Sequence, residues 1–339
     1  MPNHHALEDS KMTARRTRAR FAILAVALVA AVAAAPRAHA AAKPAPKPAQ
    51  KYFASPEDAV AALVAAVKSD DPKALLAVLG PDGARVAESG DTVADREGRE
   101  GFVASYEEKH SIAKTSDTEA KLTTGKDDWP MPIPIVKDAS GWRFDTKAGE
   151  QEILARRIGR NELDTIQTLL AIVDAQREYY ERDPDKSGLL HYAQYFISGK
   201  GKRDGLYFET KEGEPESPLG SLIAGARAEG YKGGQGKATP YHGYYYRILK
   251  AQGPHAQGGA YDYVAKGKLM GGFAVVAYPA TWGASGVMTF VVNHDDVVYE
   301  KDLGPNTAAI AKAMTKFDPD DTWKPVSEHD EVLPTESGE

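Results

Sequence analysis

The chain of 339 residues has no cysteine. That excludes disulfides, thiolate metal sites, cysteine nucleophiles and a lipid anchor on a cysteine. Zinc-type histidine motifs are missing too, since neither H-x-H nor H-E-x-x-H occurs. Positive charge is in the minority, with 42 Lys and Arg against 48 Asp and Glu, a formal net charge of −6. An acidic chain disfavours binding to a phosphate backbone or an anionic lipid surface, both of which need a basic face, so no nucleic-acid partner is expected. Long apolar runs are also lacking. The longest, residues 21–35, falls short of the about 20 residues a spanning helix needs, so no permanent membrane span is expected. What is present is an ordinary apolar content of 42%, enough for sizeable cores, in a length that suits two domains better than one.

The N-terminus carries Arg15, Arg16, Arg18 and Arg20, then the apolar run, then Pro36 and the small-residue site Ala38-His39-Ala40. This charged, apolar, Ala-x-Ala order is that of an export signal, residues 1–40, with cleavage after Ala40 and a periplasmic or secreted product. Arg15-Arg16 leaves both the general and the twin-arginine route open. Removal of residues 1–40 takes six basic and two acidic residues, leaving 36 against 46 and a net charge of −10. Residues 41–54 begin with alternating Pro and Lys and read as an extended linker.

Ser55, Pro56 and Asp58 form a helix start, followed by Val60, Leu63, Val64 and Val67 at helical spacing. A second helix opens at Asp71-Pro72 and a third is expected over 98–109. Residues 129–136, with three prolines, predict an edge strand, and 142–145 its return. Residues 55–148 thus predict a small α+β domain, resembling at fold level the cone-shaped folds related to nuclear transport factor 2. Residues 149–325 predict a second α+β domain. Its helical region, 150–183, is expected to break at Gly159 and restart with Asn161 as cap, carrying Leu163, Ile166, Leu169, Leu170, Val173 and Tyr180 on one stripe. Helices are expected over 190–197, 219–229 and 307–317. Strands are expected over 261–264, 272–278, 286–293 and 297–301, with a turn at 293–296. Residues 326–339 read as an acidic, disordered tail.

The stretch 239–305 is rich in Gly and Tyr and alternates with period 2, as a sheet does. The runs at 241–247, 252–254, 258–263, 271–274, 286–290 and 301–305 resemble the DUF2950 family, exported bacterial proteins of unknown function. The resemblance covers most of the chain after the signal and brings no catalytic residues, substrate or cofactor. A more distant likeness, in the long helix, the Asp-rich loop and the Gly/Tyr-rich sheet, is to the globular heads of type IV pilins and pseudopilins.

Three candidate sites stand out. Asp183, Asp185 and Ser187, with Gly188, have the 1-3-5-6 spacing of a calcium loop, although Gln194 and His191 occupy positions that want oxygen donors and Lys186 adds positive charge. Their alternative reading is a helix-ending turn with surface carboxylates. Tyr241, His242, Tyr244, Tyr246 and Arg247 form an aromatic strand suited to a partner or glycan. His242, Tyr244 and Tyr246 are expected on one face and Tyr241, Tyr245 and Arg247 on the other. The bland reading is a half-buried sheet in which His242 satisfies a buried hydrogen bond. A hydrolase would use His242 and Asp262. Ser285 as nucleophile is disfavoured, because residues 283–287 lack the second glycine of a nucleophile elbow, and 232–237 miss the phosphate-loop pattern. The sequence therefore predicts a non-enzymatic envelope protein that binds an envelope protein or a glycan. The alternative is a periplasmic hydrolase or wall-processing enzyme.

Overall fold

The computed structural model describes residues 49–232 and 238–326. The residues expected to form the export signal, most of those expected to form the linker, residues 233–237 and those from 327 lie outside the described residues. The fold is mixed α+β, with helices and antiparallel sheets arranged around two hydrophobic cores.

The first core is built by α1 (Pro56–Lys68), α2 (Pro72–Leu79), α3 (Gly83–Ala87) and α4 (Thr92–Glu108) on a sheet. The caps are those the sequence announces. Ser55 Oγ accepts from Asp58 N–H and Asp71 from Lys73 N–H, with proline in the first turn of each helix. Helix α4 begins six residues before the expected position. Asp91 caps it by accepting from Val93 and Ala94 N–H at 3.1 and 3.2 Å. No residue of α4 is fully buried, so its first turns carry no apolar stripe to announce them. The sheet runs β1 (His110–Ser116), β2 (Glu119–Thr124), β4 (Ile135–Asp138), β5 (Gly141–Phe144), with β3 (Trp129–Pro130) on β2. The single strand expected over 129–136 is thus two short ones, because prolines within it cannot donate to a ladder. Leu122, Ile133, Ile135 and Phe144 are fully buried beneath α1 and α2.

Helix α5 (Thr146–Arg182) has 37 residues, about 55 Å at 1.5 Å per residue. It serves both cores, Ile153 packing against the first and Ile166, Leu169, Ile172, Val173 and Tyr179 lying in the second. The break expected at Gly159 does not occur, and Asn161 is not a cap. Asn161 is buried in mid-helix and donates from Nδ2 to Ser285 O at 2.8 Å. The cost of one glycine, about 1 kcal/mol, is small beside packing on both sides of it.

After α5 the expected helix over 190–197 is absent. The segment is extended and ends in β6 (Tyr195–Ile197), parallel to β7 (Gly205–Tyr207). Its backbone is claimed from outside: the Gln176 side chain bonds both Ala193 N–H and C=O, and Tyr192 N–H donates to Leu269 O. Helix α6 (Gly220–Glu229) follows as expected. Then come β8 (Tyr244–Leu249), β9 (Ala251–Gln252), β10 (Tyr261–Asp262), β11 (Val264–Ala265), β12 (Lys268–Leu269), β13 (Ala274–Pro279), β14 (Met288–Asn293), β15 (Tyr299–Asp302) and β16 (Lys324–Pro325). The main sheet is antiparallel in the order β16-β15-β14-β13-β8, so β8 is an edge. One face packs on α5, the other on α7 (Thr307–Ala313). Helix α7 stops before the expected 317 because Phe317 turns into the core and exchanges backbone bonds with Ala251 and Gly253. Among the described residues no helix is long and apolar enough to cross a membrane.

Candidate functional site

A cleft of about 650 Å³ opens along the edge strand β8. Its floor is Tyr246 and Ile248 with Thr168 and Ile172 of α5. Leu222, Ile223 and Ala226 of α6 form one wall and residues 194–197 another. The alternation of β8 places the side chains. Tyr246 points to α5, where its hydroxyl bonds Thr165 Oγ1 at 3.3 Å. Arg247 points to the other face and donates to Ala311 O and Met314 O, the carbonyls at the end of α7. Its Nε is buried without a partner among the described residues. Burial raises the Tyr246 hydroxyl well above the usual tyrosine range. Tyr241 rises to about 12, through burial and then Glu229 and Asp164. Both phenols stay neutral.

At one end of the cleft lies the turn from Tyr241 to Tyr244. His242 and Gly243 have φ of 50° and 78°, and Tyr241 and Tyr244 exchange two backbone hydrogen bonds across it. This is the two-residue hairpin turn with both central residues left-handed. Gly243 has no substitute, since a Cβ there would lie 2.5 Å from Asn161 Nδ2. His242 therefore leaves the strand, and the face it was expected to share with Tyr244 and Tyr246 does not exist. Its Nδ1 lies 3.0 Å from Asp164 Oδ2 and its Nε2 3.1 Å from Glu229 Oε2. Burial disfavours the charged ring, but the two carboxylates outweigh it and raise the pKa above the ordinary histidine value. Two acceptors are matched by a ring that donates from both nitrogens. Such a ring has no lone pair for a base.

Asp91, which sequence reasoning missed, holds the same turn. Its Oδ1 caps α4. Its Oδ2 accepts from Tyr231 O–H at 3.0 Å and Gly243 N–H at 2.9 Å. It is 1% exposed, so one buried carboxylate satisfies four donors from both cores. The N-cap spacing was its only signal in the sequence.

Tyr244 sits in the core instead of the cleft. It is fully buried, and its hydroxyl donates to Met288 O at 3.0 Å. Asp262 is not near His242. It pairs with Ala251, beyond the far end of β8, a strand that by itself spans about 17 Å from the turn. Ser285 is buried, its Oγ bonded to Thr281 N–H and C=O.

The Asp183 loop closes on itself. Asp183 accepts from Ser187 and Gly188 N–H and from Ser187 O–H. Asp185, Asp183 and His191 offer ligand atoms within 4.8 Å of one another. A cation already stands there. Lys268 Nζ is 2.6 Å from Asp185 Oδ2 and 2.8 Å from His191 Nε2. His191 Nδ1 lies 3.0 Å from Tyr192 O, and its Nε2 also lies 3.1 Å from Asp185 Oδ2. Desolvation works to raise the Asp185 carboxyl, but bonds from Lys268 and Ser187 and the charge of His191 hold it well below the usual carboxylate range. Calcium wants six to eight oxygens and would have to displace the ammonium, so these residues fit it poorly.

By fold the molecule is an α+β protein with an aromatic cleft on a sheet edge. The family model described as "Protein of unknown function (DUF2950)" matches residues 50–326, and the chain belongs to that family. No curated protein and no solved structure matches the chain.

Proposed function

We propose that this is an exported, non-enzymatic binding protein of the cell envelope, periplasmic or secreted after cleavage near Ala40, whose ligand seats in the cleft along β8. The observation that carries this reading is the cleft itself. At about 650 Å³ it lies in the range of ligand sites, with apolar and aromatic walls and a few polar groups. His242, at one end of the cleft, is held by two carboxylates. The partner class is an envelope protein segment or a glycan.

The test is a titration of the mature protein against arrays of defined peptides and cell-wall glycans, with Ile223→Arg as the variant that fills the cleft. Ligands that lose tenfold or more in affinity in the variant support the reading. Ligands held equally well by the variant place binding elsewhere and overturn it. Turnover of ester or glycoside substrates that disappears in His242→Gln would establish the hydrolase instead.

A further inference from the structure

We infer that the cleft takes an extended, acidic peptide that adds to β8 as a further strand of the sheet; this rests on the binding reading above and names its ligand. The backbone carries the argument. Tyr244 exchanges N–H and C=O bonds with Tyr241, and Lys250 O accepts from Tyr263 N–H, all on the side of β8 away from β13. In an antiparallel strand alternate residues point their polar groups the same way. Tyr246 and Ile248 lie between, so their two N–H and two C=O groups point into the cleft. Among the described residues no hydrogen bond reaches any of the four. The approaching chain does not continue the ladder. Pro240 has no N–H, and Thr239 makes no bond to Tyr246 among the described residues.

An edge with unpaired groups is a template for another strand, and here it lies at the floor of a cleft instead of on a solvated rim. Side chains opposite Tyr246 and Ile248 would share their face and enter the apolar wall of Ile172, Leu222 and Ile223. Charge selects the rest. Two cations, Arg227 and Lys250, open on the cleft, since Arg247 is turned to α7, and no carboxylate stands among the lining residues, on a chain whose net charge is −6. Carboxylates of the peptide would answer that excess.

The probes are capped hexapeptides alternating valine and glutamate, titrated against the mature protein with anilinonaphthalene sulfonate as an independent reporter of the cleft. The expected result is saturable peptide binding that displaces the dye. N-methylation of the residues that bond Tyr246 and Ile248 weakens it by about tenfold or more, while methylation of the intervening residues changes it by less than about threefold. Lysine in place of glutamate weakens it as well. In the protein, Ile248→Pro removes one outward N–H and is expected to weaken peptide but not dye. Because proline also restrains the backbone of β8, the methylated peptides, which leave the protein intact, decide the matter. Peptide binding indifferent to the methylation pattern overturns strand addition. So does dye binding, lost in Ile223→Arg, with no peptide binding; both leave the cleft reading standing. Neither dye nor peptide bound overturns both.

Discussion

The histidine–carboxylate clusters at His191 and at His242 are both partly buried, and they solve the same electrostatic problem in opposite ways. Around His191 a lysine brings the positive charge, Lys268 bonding both Asp185 and the ring. Around His242, among the described residues, no lysine or arginine bonds the side-chain carboxylate of Asp164 or Glu229, so the imidazole itself carries the charge between them. The first cluster therefore depends on pH through its carboxylate, the second through its histidine. The difference also separates a loop that looks like a metal site from a turn that looks like a catalytic one. In each case the ion that the residues want is already supplied by the chain.

The largest effect should come from the group that holds the His242 turn in place. Asp91→Ala leaves a helix without its cap and leaves Tyr231 O–H and Gly243 N–H without their acceptor. It should cost about 3–5 kcal/mol in urea unfolding. A loss under about 1 kcal/mol would mean the turn is not anchored there.

Lys268→Met removes the cation of the other cluster and should cost about 2–3 kcal/mol, less than a fully buried pair because both partners are about a fifth to a quarter exposed. The sign of its pH dependence follows from the lowered Asp185 carboxyl. That contribution is complete above the unfolded value of about 4 and is lost as pH falls below it toward the lower folded value. Stability measured from pH 2 to 6 should show a steep acid limb in the wild type and a shallower one in Lys268→Met.

His242→Gln should cost about 1–2 kcal/mol at pH 6. Here the folded pKa is raised. The stabilisation is complete below the unfolded value of about 6.5 and is lost as pH rises through the folded one. The cost of the substitution should therefore shrink toward pH 9. The ring protons of His242 should titrate above an ordinary histidine in an NMR titration. A cost that grows with pH would reverse the assignment of charge.

The smallest effect is that of calcium. With Lys268 in place, millimolar calcium should shift the melting temperature by less than about 1 °C, since a ligand stabilises only as far as it binds the folded state. A rise of several degrees that Asp185→Asn abolishes would make the Asp183 loop a metal site and erase the contrast between the clusters.

Much of the architecture follows from residues a few positions apart. The capped starts at Ser55 and Asp71, the stripe on α5, helix α6, the turn at 293–296 and the α+β class were all legible, because helix and strand periods are local. Where expectations failed, a distant group had intervened. Gln176 and Leu269 hold residues 192–193 extended, Phe317 ends α7 by entering the core, and Asn161 serves Ser285 instead of a helix end. The site was less legible still. His242 could be singled out as a candidate, but its partners lie 78 and 13 residues away, and Asp91 lies 152 residues from the Gly243 it holds. The sequence by itself determined which residue types were on hand: tyrosines for a half-buried edge, a His-Gly pair for a left-handed turn, and no cysteine at all. Only the tertiary structure decided which carboxylate meets which histidine and which edge of the sheet stays unpaired, because those follow from how helices and sheet pack and no spacing along the chain encodes them.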